Sequence, residues 1–498
     1  MSQLKKQTVK GVAVLGAGKG AGRLISFVNT IILARILSPE DYGLMAMAMV
    51  VAGFIGFFNE IGLGSAIIQR KDITENQLNG AFSIAVFASL ILYGVTCLLA
   101  PYVGDFYNNP QIADMLEVLA ISFVIGAFST VSNALISKNM QFKALAGIEL
   151  ISIVTQAVLT LCFAFLGYKA WSLVYGFIIS QFIRSLFVYI FAGWKPTRFG
   201  VFKEAITLIK FGLTVTYSRL TWYAYTKAAT LIIGKTSGEK ELGIYTMAAT
   251  LADLPTSHIT SLIRQVASPV FAKLQDDLTQ LNNMLCGFTA GLSLITFPLL
   301  TGIIITAPEL IPILLGEQWL AVIFPMQVLA LVGLFRSLSP LLTQALTSVG
   351  KVGITAKYTT ICSIIVPTAV LIGVIWQGIN GVAITLSITY SVLTLFLLLL
   401  CRKHIDLSLR QYFSTLATPL SGSLAMVCGV FIVNKLLTSH LNLVLLLIIE
   451  VTVGVIIYCL WLIYIRKDGL KQLKAVLQDM GIGQEKLARW PFNRVDKI

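Results

Sequence analysis

The sequence predicts an all-α integral membrane protein of about 14 transmembrane helices, in two pseudo-symmetric six-helix lobes followed by two extra C-terminal helices. Three observations predict it. Hydrophobic residues make up 56% of the 498 residues and charged residues only 12%, with a mean hydropathy of +0.84; soluble domains carry about 25% charged residues. Apolar runs of membrane-spanning length recur along the whole chain. The basic residues between those runs alternate in density from one connection to the next.

The first six expected spans are 12–34, 42–58, 78–100, 115–135, 144–166 and 170–192, each bounded by charge, proline or glycine. Six more follow at 211–233, 242–263, 284–307, 321–345, 358–376 and 382–401, then two at 413–433 and 441–465. This divides the chain into a first lobe (1–193), an inner-surface linker (194–210), a second lobe (211–401), two additional spans (402–465) and a basic tail (466–498). With the N-terminus inside, inner segments hold 26 of the 37 Lys and Arg, outer loops hold 5 and the spans hold 6. That asymmetry places both termini in the cytoplasm. It also makes the net charge of +14 a matter of topology and lipid headgroups, not of nucleic acid.

The halves repeat. At an offset of 200, Ile32 meets Ile232, Arg35 meets Lys235, Asp41 meets Glu241, Gly43 meets Gly243, and Met47-Ala48 meets Met247-Ala248. Ala100-Pro101 matches Ala307-Pro308, and Gly167 matches Gly378, at slightly larger offsets. An even number of spans per half gives both halves the same sense in the membrane, with a cleft expected between parallel lobes. The linker places Lys195, Arg198, Lys203 and Lys210 beside Phe199, Phe202, Ile206 and Ile209, a pattern suited to a helix lying on the inner membrane surface. Leu470, Leu473, Leu477 and Met480 repeat that chemistry in the tail.

Six bases fall inside spans: Lys19, Arg23, Arg184, Arg219, Lys227 and Arg336. At about 2.5–3.5 kcal/mol each, they would together cost roughly 15–20 kcal/mol if uncompensated, as much as or more than the whole stability of a typical fold. Acids within or at the ends of spans are fewer: Glu60, Glu149, Asp253 and Glu450. Lys19 and Arg23 share a helix face. In the repeat register, positions 19, 23 and 27 correspond to Arg219, Tyr223 and Lys227. Two matched cationic stripes facing a cleft suit a doubly anionic ligand such as a pyrophosphate, because guanidinium binds phosphate oxygens in a bidentate fork and lysine supplies a point charge. Bland readings stand beside this one. Arg184 can snorkel from near its span end, Arg336 can hold backbone carbonyls of a neighbouring helix, and Asp253 serves equally as an ion-coupling group or as a partner for a base. Glu450 reads as a helix-pairing residue.

Several functions are excluded or demoted. The 7 cysteines are scattered with no C-x-x-C, and the 3 histidines lack ligand spacing, so no metal, disulfide framework or cofactor is expected. The run Gly16-Ala17-Gly18-Lys19-Gly20-Ala21-Gly22 lacks the Ser or Thr after the lysine and the preceding strand of a phosphate-binding loop. Its glycines instead allow close helix approach. Pro255, Pro298, Pro325, Pro340 and Pro367 predict kinked helices. No cleavable signal peptide is evident, since Lys19 and Arg23 interrupt the first apolar stretch. No loop carries a carboxylate pair or a His/Arg cluster, so a membrane-bound sugar polymerase or ligase is the weaker reading and no enzyme activity is expected.

The block Ala34-Arg35-Ile36-Leu37-Ser38-Pro39-Glu40-Asp41-Tyr42-Gly43, followed by Ile61-Gly62-Leu63-Gly64-Ser65-Ala66-Ile67-Ile68-Gln69-Arg70, resembles the polysaccharide exporter (PST) family. So do Pro269-Val270-Phe271-Ala272-Lys273-Leu274-Gln275-Asp276-Asp277, Gly316-Glu317-Gln318-Trp319 and Gly333-Leu334-Phe335-Arg336-Ser337. The patterns are most similar to Wzx flippases of the colanic-acid-exporter type, within the multidrug/oligosaccharidyl-lipid/polysaccharide (MOP) superfamily, over about residues 10–400. The resemblance implies a two-lobe bacterial inner-membrane flippase for undecaprenyl-pyrophosphate-linked oligosaccharide repeats, used in exopolysaccharide, O-antigen or capsule assembly and working beside a periplasmic polysaccharide polymerase. The expected substrate-binding residues are Lys19, Arg23, Arg219, Tyr223, Lys227 and Arg336, and the expected coupling residues are Asp253 and Glu60. A cation-coupled multidrug exporter of the same superfamily, or a lipid II flippase, is the alternative.

Overall fold

The computed structural model describes residues 2–60, 62–200, 222–438 and 441–465, with side chains throughout except at 2–17, 19, 59, 60, 258 and 465. Every regular element among the described residues is helical. In order these are α1 (Ser2–Ile36), α2 (Pro39–Glu60), α3 (Leu63–Gln69), α4 (Glu75–Tyr107), α5 (Gln111–Lys138), α6 (Phe142–Phe165) and α7 (Ala170–Ala192). They continue as α8 (Ala228–Lys273), α9 (Leu278–Leu314), a 3₁₀ turn (Glu317–Val322), α10 (Ile323–Arg336), α11 (Ser339–Ser348), α12 (Val352–Ile405), α13 (Leu409–Leu437), α14 (Leu443–Leu460) and a π-helical turn (Trp461–Ile465). Among the described residues, ten helical stretches are long and apolar enough to cross a membrane. The expected spans map onto these elements; of 211–233, residues 211–221 lie outside the described residues, as do 201–210 of the linker and the tail from 466.

The chain forms two compact units, Met1–Thr246 and Met247–Ile498, the division falling inside α8. In the first, Phe82 of α4 packs into a cluster with Leu63, Ile67, Ala127 and Val131. The start of the linker docks on the same helix. Asn79 exchanges two hydrogen bonds with Thr197, donating at 2.9 Å and accepting at 3.0 Å, while Gly200 N–H donates to Ser83 Oγ. Residues 194–200 are irregular, not helical as the linker pattern suggested. Pro196 disfavours helix at Lys195, and Asn79 satisfies the Thr197 backbone N–H.

In the second unit, Phe271, Phe288 and the fully buried Tyr412 centre the core. The Gly316-Glu317-Gln318-Trp319 motif is a turn: Gly316 takes φ 100°, which only glycine adopts easily, and Trp319 behind it is fully buried. Spans 358–376 and 382–401 form one 54-residue element broken at Gln377 and Gly378, where Gly378 has φ 58°. Its repeat counterpart Gly167 also has positive φ. The prolines do less than expected. Pro325 and Pro340 sit in the first turns of α10 and α11, where proline is tolerated, and the non-helical dihedrals inside α8 and α12 fall at Gly238 and Gln377–Gly378 instead of at Pro255 or Pro367.

Candidate functional site

The 34–43 motif sets the entry of α2. Ser38 N–H and Oγ donate to Asp41 Oδ2 at 2.9 and 3.1 Å, and Asp41 N–H donates back to Ser38 Oγ, closing a capping box. Asp41 Oδ1 accepts the Ala170 N–H at 2.9 Å, so one buried carboxylate caps the N-termini of both α2 and α7. Negative charge there also complements both helix dipoles. Asp41→Ala is expected to cost about 2 kcal/mol, roughly one cap at each terminus, and to show as a lower unfolding temperature in detergent. Asp41→Asn should recover most of the loss.

Two turns of this first unit meet reciprocally. A Cβ on Gly43 would lie 1.8 Å from the carbonyl oxygen of Glu239, and a Cβ on Gly243 would lie 1.8 Å from the carbonyl oxygen of Pro39. Glu239 is the counterpart of Pro39 at the repeat offset of 200, so the contact is its own image under the repeat. Lys240 and Glu40 flank it at 3.9 Å. Only glycine permits backbones this close.

The stripe residues fall as follows. Lys19 and Glu60 have side chains outside the described residues, and Arg219 lies outside them altogether. Gly18 and Gly22 of α1 face Ala146 and Ile153 of α6, as the small-residue spacing implied. Arg23, the next residue on the helix, is half-buried, and among the described residues no carboxylate lies within ion-pair distance of it. Tyr223 is turned inward: its hydroxyl donates to the Val50 carbonyl at 3.0 Å over Gly53 of α2, and its ring meets Phe57 edge-on at 5.0 Å. Its polar group is thus spent within the protein. Lys227 sits exposed at a bend between residues 222–226 and α8.

Elsewhere the structure pairs predicted residues with each other. Arg336 Nη1 donates to Asp253 Oδ1 at 3.1 Å, both side chains are nearly half exposed, and the guanidinium lies 5.6 Å from the Tyr390 ring centroid. Arg184 Nε lies 3.6 Å from Glu149 Oε2. Sequence reasoning named all four residues but not these pairings. Arg184 also lines a cavity of about 400 Å³ within the first unit, with Gln181, Asn133, Thr130 and Ser122. The 61–70 motif forms one wall through Gly62, Gly64, Ser65 and Ile68. No cluster of His, Cys, Asp or Glu suited to a metal occurs among the described residues.

The helical fold has counterparts among solved structures. A solved structure titled "Lipid II flippase MurJ, inward closed conformation" superposes with a TM-score of 0.77 at 15% identity, over 92% of this chain and 99% of that one. An inward-facing multidrug resistance MATE family transporter of the MOP superfamily superposes with a TM-score of 0.57 at 16% identity, over 77% and 94%. The fold is that of the MOP superfamily. By sequence the chain belongs to the polysaccharide biosynthesis protein family, which it matches over residues 32–324. It is 25% identical to the lipopolysaccharide biosynthesis protein WzxC of Escherichia coli (strain K12) over 84% of each chain.

Proposed function

We propose that the protein is a flippase that moves undecaprenyl-pyrophosphate-linked oligosaccharide repeats from the cytoplasmic to the periplasmic leaflet of a bacterial inner membrane by alternating access. The observation that carries this reading is Arg23, a half-buried base within an expected span that no described carboxylate neutralises, in a polysaccharide biosynthesis protein with a flippase-like fold. On this reading Arg23 and Lys227, with Lys19 and Arg219, hold the pyrophosphate, Tyr223 braces residues 222–226 against α2, and the glycan occupies water-filled space while the polyprenyl chain stays in lipid. No bond is made or broken. Several moderate contacts suit a carrier better than one tight cage, since the headgroup must be released after each crossing. The lobe division at 193 and 211 is part of this proposal, as is the cytoplasmic placement of both termini.

Arg336 is assigned a contact with the cargo in competition with Asp253, since phosphate oxygens and a carboxylate seek the same guanidinium fork. The charge-reversed double variant Asp253→Arg/Arg336→Asp is therefore expected to re-form the ion pair without restoring transport. Restored transport would make the pair a helix lock only. The function itself is tested by deleting the gene and extracting lipids: pyrophosphate-linked repeats should accumulate facing the cytoplasm. Their continued conversion to polymer outside would refute the assignment.

A further inference from the structure

Glu309 on α9, Asn434 on α13 and Glu450 on α14 meet in the second unit. These three helices pack on one another. The Asn434 amide donates to Glu309 Oε1 at 2.9 Å and to Glu450 Oε1 at 2.7 Å. A single nitrogen at those distances keeps the two Oε1 atoms within roughly 5.6 Å of each other. Glu450 is fully buried and Glu309 is 6% exposed. The second oxygen of each carboxyl group, Oε2, is buried and has no hydrogen-bond partner among the described residues.

That arrangement exceeds what holding helices together requires. One carboxyl group and one amide make a complete clamp; the second carboxyl group adds a like charge and another uncommitted oxygen, which a half-satisfied network does not favour. An amide has two N–H donors, and both are already used. Among the described residues no Lys or Arg lies within ion-pair distance of either glutamate. Lys435, next to Asn434, is exposed, as is Glu317 beyond the end of α9, while His440 lies outside the described residues. Burying two carboxyl groups this close with no base facing them is costly unless a cation offsets their charge. Pro312 carries no N–H for the Pro308 carbonyl four residues back, so a backbone oxygen next to Glu309 is also left out of the helix ladder.

We propose that Glu309, Asn434 and Glu450 form a buried binding site for one monovalent cation, either a proton shared by the two carboxyl groups or a sodium ion taken up by their free oxygens. The site does not depend on the identity of the cargo. Infrared difference spectroscopy of the purified full-length protein in detergent, without cargo, tests it. In the wild type a protonated-carboxyl band should either titrate with pH and ignore sodium, marking a proton site, or vanish when sodium but not potassium is added at fixed pH, marking exchange for sodium. Glu450→Gln should remove the change, and Glu309→Gln, at the less buried end, should do the same if the first variant folds poorly. A wild-type spectrum with no carboxyl band that responds to pH or sodium would overturn the proposal without any variant. So would a response that survives in a well-folded Glu309→Gln.

Discussion

Gly43→Leu and Gly243→Leu are each expected to abolish transport while the protein remains inserted and abundant. Leucine is the better helix former at both positions, so neither change breaks its own helix. The obstacle is the backbone opposite: a Cβ only 1.8 Å from a carbonyl oxygen cannot be relieved by rotating a side chain. The turns around Pro39–Gly43 and Glu239–Gly243 must separate, and any state of the transport cycle that contains this contact is lost. A pair of cysteines at Glu40 and Lys240, whose charged groups lie 3.9 Å apart, reads the separation directly. Their cross-linking is expected to be efficient in the parent chain and at least tenfold slower with either leucine. Gly147→Leu is the control, because its Cβ would enter open space, and it should change neither cross-linking nor transport.

Arg23→Ala is expected to lower transport about 10- to 100-fold, the loss of one charge-assisted contact of about 1.5–3 kcal/mol converted at 1.4 kcal/mol per tenfold. Arg23→Lys should recover part of it, because an ammonium keeps the charge but not the bidentate fork. Polymer yield in cells complemented with each variant, normalised to membrane-inserted protein, measures both. Equal yields from parent and alanine variant would remove Arg23 from the site. Stability should change little, since among the described residues no carboxylate is left behind by the substitution.

The spans were legible because membrane helices announce themselves by length and apolarity, and the repeat was legible because Gly43 and Gly243 keep their spacing to within a residue. The consequence of that repeat, a contact that maps onto itself, was not. It depends on how two turns 200 residues apart face each other, which spacing does not encode. The same holds for the charges. Arg336 and Asp253 were both identifiable as costly residues in a membrane, but their pairing joins α10 to α8 across 83 residues of chain. Tyr223 shared a helical register with Arg219 and Lys227, yet its hydroxyl found the Val50 carbonyl because Gly53 leaves a notch in α2. Glu450 reads as a helix-pairing residue and does meet a neighbouring helix; its partner across the Asn434 amide, Glu309, lies 141 residues earlier in the chain and has no local signal that points to it. The linker pattern of Lys195 to Ile209 suggested a helix, and Pro196 was the local signal against one at its start.

The account rests on positive side chains gripping a diphosphate during passage through the membrane. The most direct measurement is translocation by the purified protein in proteoliposomes, comparing one oligosaccharide joined to undecaprenol through a pyrophosphate, a single phosphate or an uncharged linkage. The pyrophosphate form should cross at least tenfold faster than the other two, and Arg23→Ala should erase most of that advantage. Equal rates for all three linkages in the parent protein would contradict the account.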